Sequence, residues 1–328
     1  TVNGVCGELL VRFAFEAGLS PDQMVLEEEQ GNRLFGSALE GLLAEEPERI
    51  PKLNSMARRL GLLDDKYQPN WRNEVMEVAS AARANNMSPD GIRVWASTST
   101  DSLLSEFAPP YASDRDLNSE LLGAVSHAID NVDFENDQTK GTATYIRLLR
   151  GAQAALQQNR FSWAEWVKLS KARPTKKSEH LAEAIQIIAG DFEKHPGLHN
   201  DIREFCAEIF DLAAGSIEAY QQLKARQGLL DFVDQEQRLY ELLDHPHVKA
   251  TLSDELQVLF VDEFQDTSPI QLALFMKLAA LADQVIWVGD VKQAIYGFRG
   301  SDPELMQAVL RGVVGGGGIT DVLPNSWR

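Results

Sequence analysis

Val258-Leu259-Phe260-Val261 is an unbroken apolar run that ends directly on Asp262-Glu263. No other feature of the chain restricts its fold as much. Four apolar residues in a row suit a strand buried on both faces, the condition of a strand in a helix-covered parallel sheet. In open parallel sheets ligands collect beyond the carboxyl ends of the strands, and this end carries two adjacent carboxylates. Read from the residues alone, the pair is either a ligand-facing site or two solvated turn residues leaving the sheet.

The flanking sequence extends the pattern. Ser268-Pro269-Ile270-Gln271 has the form of a helix start: a hydroxyl cap, proline in the first turn and a glutamine placed to reach back. This predicts a helix to about Ala282. Val285 to Val288 reads as a second buried strand ending at Gly289-Asp290. A further helix is expected from near Asp302-Pro303 to near Gly312, then a Gly315–Gly318 loop, then a third strand over Ile319–Leu323. Strand, helix, strand, helix, strand is the order of a parallel α/β sheet. Upstream the spacing is helical. A helix is expected from Gly7 to Leu19, and helices dominate from about 27 to 225, broken by turn signals such as Ser88-Pro89-Asp90-Gly91 and His195-Pro196-Gly197.

At 328 residues the chain has room for two domains. No apolar stretch approaches the roughly 20 residues of a membrane span. Two distant cysteines, Cys6 and Cys206, and six scattered histidines form no metal or triad spacing, so a reduced, cytoplasmic protein is expected. The net charge of −18 opposes nucleic-acid binding by the molecule as a whole, but leaves room for a local positive groove. One basic run, Lys168, Lys171, Arg173, Lys176 and Lys177, follows Trp163 and Trp166. It reads more readily as a solvated helix end beside core tryptophans than as a backbone-binding surface.

Two longer signatures narrow the choice. Asp262-Glu263-Phe264-Gln265-Asp266-Thr267-Ser268-Pro269-Ile270-Gln271 resembles motif II of the UvrD/Rep-like superfamily 1 DNA helicases. Val288-Gly289-Asp290-Val291-Lys292-Gln293-Ala294-Ile295-Tyr296-Gly297-Phe298-Arg299-Gly300 resembles their motif III, in the same order and at suitable spacing. Leu323-Pro324-Asn325-Ser326-Trp327-Arg328 is similar to motif IV, a shorter match. Thr1-Val2-Asn3-Gly4-Val5-Cys6 is similar to an early Thr-x-His-x-x-Cys segment, with Asn3 in place of the histidine, so that residue's role is not carried over. Leu230-Asp231-Phe232-Val233-Asp234 resembles the return from a helical insertion into the motor domain. The long insertion and the wording of motif II lean towards the AddA/RecB branch.

The resemblance implies an α/β fold: a partial RecA-like parallel sheet of a P-loop NTPase motor domain, with a large mostly α-helical insertion. The expected divisions are 1–26 and 228–328 for the motor portion and 27–227 for the insertion. It implies ATP and Mg²⁺ as cofactors, with Asp262 holding the metal and Glu263 acting as general base. Gln293 would sense the γ-phosphate, and Arg328 would neutralise charge on the transferring group. Tyr296, Phe298 and Arg299 would face single-stranded DNA, where stacking on an aromatic contributes about 1–3 kcal/mol per base. Each position has a plainer alternative: a shared core face for Tyr296 and Phe298, a local ion pair for Arg299, a polar turn for Gln293.

The resemblance also exposes a gap. A Gly-x-x-x-x-Gly-Lys-Thr/Ser loop that cradles phosphates is absent from the sequence, and Gly315–Gly318 lacks the lysine and hydroxyl. The expectation is therefore a fragment of a DNA helicase, inactive alone, whose parent acts on single-stranded and duplex DNA. A nuclease or a second helicase subunit is the further partner implied. The competing expectations are a non-hydrolysing DNA-binding or protein-interaction module on a helicase scaffold, or a subunit of a helicase–nuclease.

Overall fold

The computed structural model describes residues 1–20, 23–112, 115–290 and 303–321, the first four of the last stretch as backbone only. Gln293, Tyr296, Phe298, Arg299 and Arg328 lie outside the described residues. In chain order the elements begin α1 (Val2–Arg12), β1 (Met24–Val25), α2 (Glu28–Glu45), α3 (Arg49–Leu60), α4 (Trp71–Ala84) and α5 (Pro89–Ser105). Then follow α6 (Leu117–Asp130), α7 (Lys140–Gln157), α8 (Trp163–Lys171), α9 (His180–Gly190) and α10 (Pro196–Gln227). The last group is β2 (Leu229–Leu230), α11 (Phe232–Leu242), α12 (Pro246–Glu255), β3 (Val258–Val261), α13 (Pro269–Ala279), β4 (Gln284–Trp287) and α14 (Pro303–Gly315). The chain divides into two compact units: Thr1–Glu40, Ala79–Pro89 and Ser216–Arg328 in one, Gly41–Val78 and Asp90–Gly215 in the other.

The first unit carries the strands. β3 and β4 pair in parallel, with Val258 opposite Gln284 and Val261 opposite Trp287, and α13 makes the crossover between them. The helix start reads as expected: Ser268 and Gln271 form a reciprocal capping box with Pro269 in the first turn. Behind the pair, Leu274, Leu278 and Leu281 of α13 and its exit pack with Cys6 and Leu10 of α1 and with Leu239 of α11. A second, two-residue parallel pair joins β1 to β2, Met24 opposite Leu229. The α/β character is thus present, in two small parallel sheets set among helices.

A buried ionic knot sits where the chain enters α11. Asp231 and Asp234 form that helix's capping box. The Arg83 guanidinium donates to both Asp231 oxygens at 2.6 and 2.7 Å. Lys224 donates to Asp231 at 2.9 Å and also to Asp234, and the Tyr220 hydroxyl donates to Asp231 at 2.7 Å. Burial alone would raise the Asp231 carboxyl; Arg83 and Lys224 outweigh it and hold the group well below the usual carboxylate range.

The second unit is helical. Leu121 and Val125 of α6, Tyr145 and Leu149 of α7, Trp166 of α8 and Ile185 of α9 share one core. Trp163 and Trp166 are buried, with Trp163 donating its indole N–H to Asp201 at 2.8 Å. These tryptophans are core residues, and Lys168 and Lys171 fall in the last turn of α8, where cations favour the helix dipole.

The strands β3 and β4 are not buried on both faces as expected: Val258 and Phe260 of β3 and Ile286 of β4 are exposed on one face. Three further local expectations are corrected. The first helix starts at Val2 rather than Gly7, because the Thr1 hydroxyl caps it by accepting from Gly4 N–H; it ends at Arg12, followed by turns up to Gly18. The last described helix continues to Gly315, three residues past Gly312. Residues 319–321 belong to no strand, and the remainder of the expected third strand lies outside the described residues.

Candidate functional site

The site is built where β3 and β4 end side by side. Val288 N–H bonds the Val261 carbonyl at 2.8 Å and Phe264 N–H bonds the Val288 carbonyl at 3.1 Å, so the ladder continues past both strands and fixes their exits together. Asp262 and Glu263 follow β3 and are exposed; Asp290 stands at the exit of β4. The structure therefore brings the two expected acids to the carboxyl end of a parallel pair, as the sequence predicts.

Glu263 adopts a left-handed backbone, φ 50°, ψ 40°, unfavourable for a residue with a Cβ. Its neighbours hold it there. Its N–H donates to Asp262 Oδ1 at 3.0 Å. Its carbonyl accepts from Asp266 N–H at 3.0 Å, closing the turn from Phe264 to Asp266. The Phe264 ring is buried edge-on against Trp287, 5.6 Å between centroids, anchoring the turn to β4. Strain held in place by surrounding structure is a common property of functional turns.

Sequence reasoning gave Gln265 no role, yet the structure makes it the centre of the turn. Its side-chain N–H donates to Glu263 Oε2 at 2.5 Å, and its Oε1 accepts from Asp290 N–H at 3.0 Å. Gly289 passes so close that a Cβ there would lie 2.7 Å from both Gln265 Oε1 and Phe264 Cδ1. The available signal was the fixed interval between two strand exits; which side chain bridges them is a tertiary fact.

The turn is linked to the rest of its unit. Gln271, whose side-chain oxygen caps Ser268 N–H, donates its amide to Glu236 Oε1 at 2.6 Å. Burial raises the Glu236 carboxyl above its ordinary value, against the lowering effect of that bond.

The donor set suits a magnesium ion carried in with a phosphate ligand. Mg²⁺ takes one or two carboxylates and keeps its other positions for phosphate oxygens and water. Asp262 is an exposed carboxylate of that kind, and among the described residues no cluster of three His, Cys, Asp or Glu could form a resident metal cage.

Comparison with known proteins places the chain among helicases. The family model described as the UvrD/REP helicase N-terminal domain matches residues 1–312. An ATP-dependent helicase/nuclease subunit of Natranaerobius thermophilus is 36% identical over 102 residues, 30% of this chain and 8% of that protein. DNA helicase II of Escherichia coli is 42% identical over 94 residues, 28% of this chain and 13% of that protein. The corresponding helicase/nuclease subunit of Lactobacillus acidophilus is 23% identical over 349 residues, covering 93% of this chain and 29% of that protein. The chain thus spans less than a third of the length of each of these relatives. Among the described residues no helix is long and apolar enough to cross a membrane.

Proposed function

The chain belongs to the UvrD/REP helicase N-terminal domain family, and from that premise we propose that it forms part of the ATP-hydrolysing motor of a DNA helicase. The observation that carries the reading is the exposed Asp262–Glu263 pair held at the carboxyl end of the β3–β4 pair by a strained turn. In this reading Asp262 holds Mg²⁺, and Glu263 takes a proton from the attacking water. When bound there, the metal would supply positive charge that offsets charge developing on the phosphoryl group. Gln293 senses the γ-phosphate, Arg328 meets the transferring group, and Tyr296, Phe298 and Arg299 face single-stranded DNA. The helical stretch 27–227 is an insertion that contributes to the DNA-facing or partner-facing surface.

The 328 residues hold no phosphate-binding loop, so we place that loop elsewhere in the full-length protein. The alignment with a helicase/nuclease subunit that covers 93% of this chain favours a full-length protein of that type over a stand-alone helicase. Such a protein would work in DNA repair or recombination with a second protein chain.

The test is an assay of the full-length protein for ATP hydrolysis with and without single-stranded DNA, paired with unwinding of a tailed duplex. DNA-stimulated hydrolysis that drives unwinding is the expected result. DNA binding with no ATP turnover would favour the non-hydrolysing scaffold instead.

A further inference from the structure

We propose that Gln265 is a positioning residue that holds the Glu263 carboxylate and the main chain of Asp290 in one fixed relation. The acid at the end of β3 and the segment leaving β4 would then move as one piece. The inference rests on the reading of Glu263 as the base.

Chemistry fixes the orientation of the bridge. A main-chain N–H can only donate, so Asp290 N–H must meet the amide oxygen of Gln265, at 3.0 Å. That leaves the amide N–H₂ facing Glu263 Oε2, at 2.5 Å, where a carboxylate oxygen accepts. Gln265 is 5% exposed, and Gly289, just past the end of β4, passes close to its Oε1. Its rotamer is therefore set by packing before any ligand arrives. Few side chains can replace it. Glutamate would set a carboxylate against Glu263, methionine keeps a similar length with neither bond, and asparagine is one methylene short of spanning the gap.

The location gives the bridge a consequence. Asp290 is followed at once by the stretch containing Gln293, Tyr296 and Phe298, the positions assigned to nucleotide sensing and DNA stacking. A rigid tie between Glu263 and Asp290 links the orientation of the base to the entry of that stretch. A disturbance there would then be felt in catalysis rather than in ATP affinity.

The experiment uses the full-length protein with Gln265→Met and Gln265→Glu, read by amide hydrogen exchange at residues 289–290 and by ATP hydrolysis with single-stranded DNA. Gln265→Met is expected to speed exchange at Asp290 about fivefold or more, since its acceptor is gone. It should also lower kcat about 10- to 100-fold while the KM for ATP stays within about threefold. Gln265→Glu keeps an acceptor for Asp290 N–H, so exchange there should remain slow while kcat falls. Unchanged exchange at Asp290 in Gln265→Met, or wild-type kcat in Gln265→Glu, overturns the proposal. Should Gln265→Met fail to fold, Gln265→Glu decides alone through its kcat. A wild-type protein with no DNA-stimulated hydrolysis would refute the motor reading itself, a result distinct from failure of the bridge.

Discussion

At the scale of single residues, the site concentrates cost where chemistry is expected. Glu263 holds a positive φ that glycine would adopt without penalty. Glu263→Gly should therefore be more stable to urea than Glu263→Ala by about 1 kcal/mol, although both lose the carboxylate. Equal stabilities would mean that the turn relaxes when the side chain is removed. Gly289→Ala tests the close approach from the other side. A methyl 2.7 Å from Gln265 Oε1 and Phe264 Cδ1 should cost about 1–3 kcal/mol by denaturant unfolding, and a wild-type midpoint would contradict it. The position of Asp262 and Glu263 at a strand end was legible because an apolar run stops on them, while their reading as a site came from the motif II resemblance, since two acids after a strand also suit a solvated turn. Gln265 and Gly289 were not legible, because their importance arises where the two strand exits meet, bringing Gln265 against Asp290, 25 residues away in sequence.

At the scale of elements, legibility followed the strength of local signals. The path β3–α13–β4 could be read because the Ser268–Gln271 capping box and Pro269 mark one helix start in chemical terms. The start of α1 was misplaced because a lone Thr1 hydroxyl is a weaker mark than a reciprocal box. The ionic knot beneath α11 has no sequence signature, since Arg83 comes from α4 and Lys224 from α10. Arg83→Met should destabilise the protein by about 3–5 kcal/mol, the usual effect of leaving a buried charge without its partner; a loss below about 1 kcal/mol would mean the knot reorganises around Lys224. In the helical unit Asp137 accepts from the hydroxyls of Ser178, Thr139, Thr142 and Thr175 at 2.6–2.7 Å. These bonds, Ser178's first, hold its carboxyl far below the ordinary range. A depressed folded value favours the folded state above the unfolded one. The contribution is therefore complete above about pH 4 and is lost as pH falls further. Asp137→Asn should flatten the acid limb of a stability profile, and an unchanged limb would show that other carboxylates set it.

At the scale of the whole molecule, family membership and local geometry support the proposed reading, in which Asp262 and Glu263 serve an ATP-driven motor, although the 328 residues themselves hold no phosphate-binding loop. The acidic balance, net −18, made DNA binding hard to read from composition, because a groove depends on where charges cluster rather than on their sum. The expected DNA-facing residues Tyr296, Phe298 and Arg299 fall outside the described residues, so their roles rest on the motif. The 328-residue segment by itself should bind no nucleotide tightly and show no Mg²⁺- and DNA-dependent ATP hydrolysis; robust turnover would place a complete site within it. The most direct test of the account is Glu263→Gln in the full-length protein, measuring single-turnover ATP hydrolysis and ATP affinity on the same preparation. The account predicts a fall in hydrolysis of about 10²-fold or more, with ATP affinity nearly unchanged. Retained hydrolysis, or a parallel loss of affinity and turnover, would contradict it and leave Glu263 a structural residue.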